Sequence, residues 1–369
     1  MAQIPPRHGG NVQQEAERLG CAAAELLDAS ASLVPFGPPQ SLLRALRRAL
    51  KPGVASPLVV YPDRSYADLR RCLADHHSVP PEAVLPGNGA AELFTWAARD
   101  AAAEGVSCLP APGFADYERA LACWGGSWQH LPLALHGWGK AAMPLEEAFP
   151  AGLAAAVGKP LWLTNPHNPT GQLWSKASLL PLLQHHPLLI VDEAFLPLVP
   201  GGEAHSLLAL AANHPRLVVI RSLTKLFAIA GLRLGYAVAD PQRLERWAGW
   251  RDPWPVNGLA AAVGPAVIAD ARWQRRVQHW LAREEPWLRE RLQRFPGLRP
   301  LPSAANFLLL HGEESLEPLR LKLLQQHRVL LRDCRSFSGL DQHWLRLAVL
   351  DRRRNRRLLA AIGAVLKSP

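Results

Sequence analysis

The clearest chemical potential in this chain belongs to a lysine that follows a short apolar segment. Lys225 closes the run Arg221-Ser222-Leu223-Thr224-Lys225, directly after the strand-like residues 216–220. An amine at the carboxyl end of a buried strand can form a Schiff base with an aldehyde, whereas most lysines that follow a strand are simply hydrated. The lysine alone leaves both interpretations open.

Two further polar side chains follow apolar, strand-like runs. Asp192 comes directly after residues 188–191, and Asn168 lies in the loop Asn-Pro-His-Asn-Pro-Thr-Gly at residues 165–171. A buried carboxylate needs a cationic partner, which a protonated pyridine nitrogen, an arginine or a metal ion can each provide. Two Asn-Pro steps fix an irregular loop, from which the amide of Asn168 can donate to a phenolate oxygen; a plain turn is the alternative.

A third group of residues is suited to an anion and a planar ring. The segment Gly87-Asn88-Gly89-Ala90-Ala91-Glu92 turns into a predicted helix, where small residues let a phosphate approach the backbone N–H groups. A simple helix start is the alternative. Ser222 and Arg233 flank Lys225 and would add a hydroxyl and a guanidinium to a phosphate site. Phe114 would stack on a ring or pack in the core.

The predicted elements place these residues at one edge of a sheet. Between residues 69 and 239, apolar strand-like runs alternate with helical patterns, which favours an α/β fold with a mostly parallel sheet between helices. Ligands of such sheets bind beyond the carboxyl ends of the strands. After residue 254 the pattern changes to a smaller α+β region. We therefore predict an N-terminal segment at 1–50 that contributes to the small domain and substrate pocket, a large cofactor-binding domain at 51–255 and a C-terminal small domain at 256–369.

The bulk composition is that of an ordinary globular protein. The chain has 369 residues, 49% of them hydrophobic and 20% charged, and the five cysteines include no C-x-x-C pair. We therefore expect no disulfide framework, no zinc site and a reducing cytoplasm. The first residues show no basic-then-apolar pattern, so we expect no leader. The longest apolar stretch, residues 258–269, is interrupted by Pro265 and is too short to span a bilayer.

The net charge of +10 allows several partners. The densest basic run, Arg352-Arg353-Arg354-Asn355-Arg356-Arg357, falls in a predicted helix, so a solvated helix face is favoured over a nucleic-acid patch. Attraction of small anions is a third use of this charge. We expect neither a nucleic-acid partner nor a membrane partner.

Four motifs occur in a fixed order: N-P-x-N-P-T-G, D-E-A-F, S-L-T-K and G-L-R-x-G-Y. Together they resemble fold type I enzymes of the aminotransferase superfamily, which use pyridoxal 5'-phosphate (PLP). The resemblance covers essentially the whole chain. Many superfamily members have tyrosine where Phe195 stands, so a second hydrogen bond to the ring oxygen is missing here. The resemblance implies that Lys225 forms the Schiff base, Asp192 pairs with the pyridinium, Asn168 contacts the ring oxygen, Phe114 stacks, and Gly89, Ala90, Ser222 and Arg233 hold the phosphate.

The same resemblance implies a homodimer with shared active sites. Tyr61, in Tyr61-Pro62-Asp63, matches the tyrosine that reaches the cofactor phosphate of the neighbouring subunit. Arg346, in Trp344-Leu345-Arg346-Leu347-Ala348, matches the arginine that binds the substrate α-carboxylate.

Other segments narrow the resemblance to one branch, the L-threonine-O-3-phosphate decarboxylases of cobalamin biosynthesis. These segments are R-H-G-G-N at 7–11, P-G-F-A-D-Y at 112–117, P-W-P-V-N at 253–257 and V-L-L-R-D-C at 329–334. The resemblance implies a PLP-dependent carboxy-lyase that converts L-threonine O-3-phosphate to (R)-1-aminopropan-2-yl phosphate. Histidinol-phosphate aminotransferases, which share the cofactor site, are the first alternative. A non-catalytic PLP-binding regulator and an inactive fold are the others.

The substrate of either enzyme class is anionic, and four residues are candidates to bind it. Arg332 and Arg346 can flank one pocket, where one faces a phosphate and the other a carboxylate. His8 and Asn11 would add phosphate contacts, unless they belong to a mobile terminus. The family tends to carry asparagine where this chain has Ser32 and Val34, which is expected to alter the substrate contacts.

Overall fold

The computed structural model describes residues 9–135, 148–149 and 152–367. The strands, in chain order, are β1 (Leu27–Asp28), β2 (Val84–Asn88), β3 (Ser107–Ala111), β4 (Trp128–Pro132), β5 (Leu161–Thr164), β6 (Leu189–Asp192), β7 (Leu217–Ser222), β8 (Leu234–Ala239), β9 (Leu298–Pro300), β10 (Phe307–Gly312), β11 (Val329–Leu330), β12 (Arg332–Asp333) and β13 (Trp344–Ala348).

The helices alternate with the strands through the middle of the chain and dominate its later part. In chain order they are α1 (Val12–Leu19), α2 (Gln40–Ala49), α3 (Ala67–His77), α4 (Gly89–Ala103), α5 (Asp116–Ala122), α6 (Leu153–Ala156), α7 (Lys176–Leu179), α8 (Leu182–His185), α9 (Leu208–Ala211), α10 (Leu223–Phe227), α11 (Pro241–Trp250), α12 (Gly258–Ile268), α13 (Ala271–Leu292), α14 (Glu317–His327) and α15 (Arg352–Lys367).

A seven-stranded sheet in the order β2-β8-β7-β6-β5-β3-β4 forms the large domain. Strand β8 runs antiparallel to both β7 and β2, and the neighbours from β7 to β4 are parallel. Successive residues of β6 enter different cores: Ile190 packs in the cluster on one face and Val191 in the cluster on the other. Both faces are therefore covered, which explains why these strands read as continuous apolar runs. The α/β fold with a mostly parallel sheet was predicted correctly.

A four-stranded antiparallel sheet, in the order β12-β13-β10-β9, forms a second layer with its own core. Strand β1 pairs in parallel with β11, which joins the N-terminal segment to this small domain. The long helix α13 contributes to both cores: Val277 and Leu281 pack in the large one, and Leu288 and Leu292 in the small one. Helix α13 therefore passes from the large core to the small core along its length. The sequence predicts the domain boundary at residue 255, and that boundary stays a prediction.

Part of the basic run at the start of α15 makes contacts with the rest of the protein, although most of its arginines are exposed. Arg352 forms two hydrogen bonds of 2.9 Å to Glu284 and stacks on Trp287 at 4.0 Å. Arg354 donates to the carbonyl oxygen of Pro35 at 2.9 Å, which ties the helix to the N-terminal segment.

In the part of the chain that the structure describes, no helix combines the length and the apolar character that crossing a bilayer requires.

Candidate functional site

A cavity of about 250 Å³ lies beyond the carboxyl ends of the central strands, between the large sheet and the small domain. Residues at or just beyond the ends of β5, β6 and β7 line it, and β12 and β13 of the small sheet each contribute one arginine. Several residues that the sequence singles out line this cavity: Ala90, Phe114, Asn168, Asp192, Ser222, Lys225, Arg233, Arg332 and Arg346.

Lys225 is placed by the tight strand-to-helix transition from β7 into α10. Ser222 is the N-cap of this helix and its hydroxyl oxygen accepts the N–H of Thr224 at 3.3 Å. The Lys225 ammonium lies 5.6 Å from the centre of the Phe195 ring. Burial and the nearby arginine Arg346 lower the pKa of Lys225 to about 8. A substantial neutral fraction therefore exists near neutral pH, and the neutral amine is the form that attacks an aldehyde.

Asp192 ends β6 and is buried beneath the same cavity. One carboxylate oxygen accepts the Tyr117 hydroxyl at 2.7 Å, and the other accepts the backbone N–H of Ala194 at 2.9 Å. Burial raises the pKa of Asp192 to about 6, even though both hydrogen bonds favour the charged form. A cation placed against this carboxylate would offset that cost.

Tyr117 is a site residue that sequence reasoning did not single out. Its hydroxyl contacts both Asp192 and Thr164 Oγ1 at 2.7 Å, and its ring packs on Trp162. It follows Phe114 by three residues at the start of α5, so the two aromatic rings lie on one side of that turn. The spacing within P-G-F-A-D-Y was the available signal, since it predicts that a second aromatic residue accompanies the first.

Substitution of Tyr117 by phenylalanine is expected to lower the free energy of unfolding by about 1.5–3 kcal/mol, because a hydrogen bond to a buried carboxylate is lost. Urea denaturation of the ligand-free protein measures this change. The variant Tyr66→Phe is the control, since it removes a buried hydroxyl that bonds to the backbone of Val256 instead. If Tyr117→Phe were as stable as the original protein at pH 8, Tyr117 would not support the ionised carboxylate.

The start of α4 and the turn before β8 form a cradle of backbone groups and one guanidinium. Gly89 begins α4 with a φ of +72°, and a Cβ there would lie 2.6 Å from the Arg233 guanidinium. A Cβ on Gly235 would lie 2.8 Å from the backbone nitrogen of Ala90. The N-cap residue Asn88 makes no side-chain hydrogen bond to the first turn. Two glycines thus permit an arginine, a strand and a helix N-terminus to converge, an arrangement that suits a phosphate.

Two arginines of the small domain stand directly opposite each other at the far side of the cavity. Arg332 on β12 and Arg346 on β13 are cross-strand partners, and both are buried. Both guanidiniums face the Phe337 ring, at 5.4 and 5.8 Å. Burial lowers the pKa of Arg346 to about 10, and the positive charge of Arg332 contributes to this shift. Like charges in directly opposed positions are unfavourable unless an anion lies between or beside them.

Arg346 also contacts the large domain. Its Nη1 donates to the amide oxygen of Asn168, and its Nη2 lies 3.4 Å from the backbone oxygen of Ser30. Its Nε is buried and, among the described residues, has no hydrogen-bond partner. This arrangement turns the Asn168 amide so that its oxygen is used and its NH₂ group remains to donate elsewhere.

Asn11 and Tyr61 do not line this cavity. Asn11 donates to Glu15 at 3.2 Å and lines a smaller neighbouring cavity with Arg332. Tyr61 is 76% exposed, stacks on Trp254 at 4.2 Å and is not among the residues of this cavity. His8 lies outside the described residues. Ser32 lines the main cavity.

Two other expectations concern the surroundings of the site. Val34 packs in the large hydrophobic core and does not line the cavity; its expected influence on the substrate contacts stays a prediction. Among the described residues, no cluster of three or more His, Cys, Asp and Glu side chains is arranged to hold a metal ion. The positive charge of Lys225 is one of the influences that favour the ionised form of Asp192.

With this geometry in place, the comparison with known proteins defines the class. Residues 25–362 match the aminotransferase class I and II family, and the chain belongs to that family. It is similar to threonine-phosphate decarboxylase of Salmonella typhimurium, at 38% identity over 99% of this chain and 98% of that protein. It is also similar to histidinol-phosphate aminotransferase of Symbiobacterium thermophilum, at 33% identity over 90% of this chain and 88% of that protein.

A solved structure confirms the fold type. Histidinol-phosphate aminotransferase from Sinorhizobium meliloti, solved in complex with PLP, superimposes with a TM-score of 0.84 at 23% identity, covering 100% of this chain and 98% of that chain. At this level of identity the likeness establishes the fold alone. Of the two relatives compared by sequence, the decarboxylase shares the higher identity with this chain, 38% against 33%.

Proposed function

We propose that this protein is a PLP-dependent carboxy-lyase that decarboxylates L-threonine O-3-phosphate to (R)-1-aminopropan-2-yl phosphate, a step of cobalamin biosynthesis. The end-to-end similarity to a threonine-phosphate decarboxylase at 38% identity supports this assignment. The single structural observation that carries it is the opposed pair Arg332 and Arg346 in the cavity of Lys225. A substrate with one phosphate and one carboxylate offers one anion to each arginine.

The residues of the cavity fit PLP. The cradle of Gly89, Ala90 and Arg233 suits its phosphate, and Asp192, which is raised in pKa by burial, suits its pyridinium nitrogen. When bound, PLP supplies the aldehyde for Lys225 and an electron-accepting ring for the bond that breaks. Phe114 lines the same cavity and is placed to stack on a ring.

The chain's own residues would select decarboxylation by orientation. The bond that breaks at the α-carbon is the one held perpendicular to the cofactor ring, because its electrons then enter the ring system. Arg346 would hold the carboxylate in that position while Arg332 holds the phosphate, so the substrate is fixed at both ends. Lys225, with its pKa lowered to about 8, would return a proton to the α-carbon after CO₂ leaves.

The direct test is incubation of the PLP-loaded protein with L-threonine O-3-phosphate in the absence of any keto acid. We expect CO₂ and aminopropanol phosphate in equal amounts. If no CO₂ forms, and histidinol phosphate instead converts the bound cofactor to its amine form, the protein is an aminotransferase. This second function is supported by the 33% identity to a histidinol-phosphate aminotransferase.

The phosphate contact can be tested separately. Arg332→Met is expected to lower kcat/KM for L-threonine O-3-phosphate by about 10- to 100-fold, since a charged hydrogen bond to the substrate is lost. Arg335→Met is the matched control, because Arg335 lies nearby but pairs with Asp333 at 2.6 Å. If Arg332→Met lowers kcat/KM more for L-threonine than for L-threonine O-3-phosphate, Arg332 binds a different group of the substrate.

We further propose that the active protein is a homodimer. The segment from Leu50 to Tyr61 exposes a row of apolar side chains, including Val54 at 89% and Val59 at 69% exposure. A groove of about 230 Å³ adjoins it, and one of its walls is Tyr61. An apolar surface of this kind is typical of a subunit interface, and it would bring Tyr61 to the cofactor phosphate of the partner.

Sedimentation analysis tests the dimer. The double variant Leu58→Asp/Val59→Asp is expected to be monomeric and to lose cofactor affinity, because each site then lacks the tyrosine of its neighbour. Val157→Asp is the control, since Val157 is 55% exposed and lies far along the chain from this segment. A double variant that sediments as a dimer would place the interface elsewhere.

The five free thiols support a reducing compartment, and we place the protein in the cytoplasm.

A further inference from the structure

A second cluster of charged residues lies behind the cofactor cavity, at the ends of the same two strands. Arg221 and Glu193 are almost fully buried, at 1% and 0% exposure. The Arg221 Nε donates to Glu193 at 2.8 Å, and its two terminal nitrogens form a fork on Glu203 at 2.8 and 2.9 Å. This is a larger buried ionic network than the chemistry of the cavity itself requires.

Each inner member of the cluster directly adjoins a cavity residue in the chain. Glu193 follows Asp192 at the end of β6, and Arg221 precedes Ser222 at the end of β7. Successive strand residues point to opposite faces of a sheet. The Arg221–Glu193 pair therefore joins the two strand ends on one face, while Asp192 and the segment that leads to Lys225 occupy the other.

The outer part of the cluster anchors this pair to the following loop. The Ser206 hydroxyl donates to Glu193 at 2.7 Å, and the backbone N–H of Leu207 donates to the other Glu193 oxygen at 2.9 Å. Glu203 and Ser206 belong to the same short turn. Glu193 is thus tied to β7 through Arg221 and to the loop through Ser206 and Leu207, so a shift of the guanidinium would be passed to the end of β6.

Other groups that face Arg221 are held neutral. The His77 ring contacts the Tyr236 hydroxyl at 2.6 Å. Burial, together with the charge of Arg221, lowers the pKa of His77 to about 3, and burial raises the pKa of Tyr236. Burial likewise lowers the pKa of His76. Near neutral pH, the charges that face Arg221 within the described residues are the carboxylates of Glu193 and Glu203.

We propose that Arg221 is a positioning residue for the reaction: by cross-linking the ends of β6 and β7 through Glu193 and Glu203, it sets the placement of Asp192 relative to Lys225. The inference rests on the proposed function, in that both residues serve a bound PLP. The inference goes beyond the proposed function, because the Arg221 cluster lies outside the cavity that would hold cofactor and substrate. Removal of the guanidinium also leaves a buried negative charge beside Asp192, which favours protonation of groups in the cavity.

The test compares Arg221→Met with Arg243→Met in the PLP-loaded protein. Arg243 is a matched control, because it too pairs with a mostly buried carboxylate, that of Asp100, but lies on α11 away from the cavity. For Arg221→Met we expect kcat to fall about 10- to 100-fold with KM changed less than twofold. We also expect the pH midpoint of the visible cofactor absorption to rise by about half a unit or more. Arg243→Met should change neither.

A second variant keeps the test decisive if Arg221→Met does not fold. Glu203→Gln removes the outer carboxylate, whose side chain is 44% exposed, and leaves the charge of Arg221 less compensated. The absorption midpoint should then move downward. If the absorption midpoint is unchanged in every one of these two variants that folds, the proposal is wrong. The absorption readout does not depend on CO₂ release, so a wild-type protein that binds PLP without decarboxylating would refute the proposed function and leave this inference testable.

Discussion

Replacement of Lys225 by alanine is expected to lower CO₂ release from L-threonine O-3-phosphate by about 10⁴-fold or more. In the function proposed above, the side chain is both the covalent attachment point for the cofactor and the group that moves a proton at the α-carbon. Its lowered pKa, about 8, suits it to both tasks near neutral pH. Steady-state assays with the purified, PLP-loaded variant measure the effect.

The variant should still bind PLP, because the phosphate cradle and Asp192 are intact. Its visible absorption should lose the pH dependence that the lysine confers, which separates loss of chemistry from loss of cofactor. Lys176→Ala is the control, since Lys176 begins the short helix α7 and does not line the cavity. Retention of more than a tenth of the activity in Lys225→Ala would remove this lysine from the catalytic role.

The stabilisation that PLP confers is expected to increase as the pH rises through about 6, because of Asp192. In the ligand-free protein, burial raises the pKa of Asp192 from its ordinary value of 3.8 to about 6. The folded state therefore favours the protonated carboxyl. Its ionisation costs stability as the pH rises from about 4 to 6, up to about 3 kcal/mol. A cationic ring offsets this cost in the loaded protein.

Denaturation of the free and loaded protein between pH 5 and pH 7 checks this expectation, since Lys225 stays charged over most of that range in the free form. The cofactor phosphate also titrates near pH 6. The contribution of Asp192 is therefore the part of the pH dependence of PLP stabilisation that the Asp192→Asn variant lacks. Ligand-free Asp192→Asn should exceed the original protein in stability at pH 7 and lose activity by about 10³-fold. Equal pH dependence in both proteins would show that Asp192 does not pair with the ring.

Much of the fold could be predicted from hydrophobic patterns alone. Strands β6 and β7 nearly coincide with the predicted runs 188–191 and 216–220, because each is a short apolar run between polar residues. The sequence did not reveal β2, in which a proline and a glycine interrupt the pattern, or β4, which is a half-exposed edge strand. Nor could it indicate that β8 is antiparallel, since strand direction depends on connections that only the assembled sheet defines.

The candidate site was predictable where a residue follows a strand directly. Lys225 and Asp192 are such residues, and their cavity is where the rule for open α/β sheets places it. Tyr117 and Arg221 act through contacts with residues 75 and 28 positions away. Contacts between residues so far apart in the chain leave no pattern in the local sequence. Both side chains therefore resemble ordinary core or helix residues until the folded sheet brings their partners together.

The hydrogen bond from Arg346 to Asn168 links substrate recognition to the state of the cofactor ring. Before substrate arrives, the guanidinium that is expected to bind the carboxylate holds the amide oxygen of Asn168. An incoming carboxylate would share that guanidinium, whose buried Nε–H has no hydrogen-bond partner among the described residues, and would weaken its hold on the amide whose NH₂ group is expected to contact the ring oxygen. Substrates without a carboxylate leave the bond in place. The enzyme would thus sense the presence of the group that it removes before the ring is adjusted for its removal.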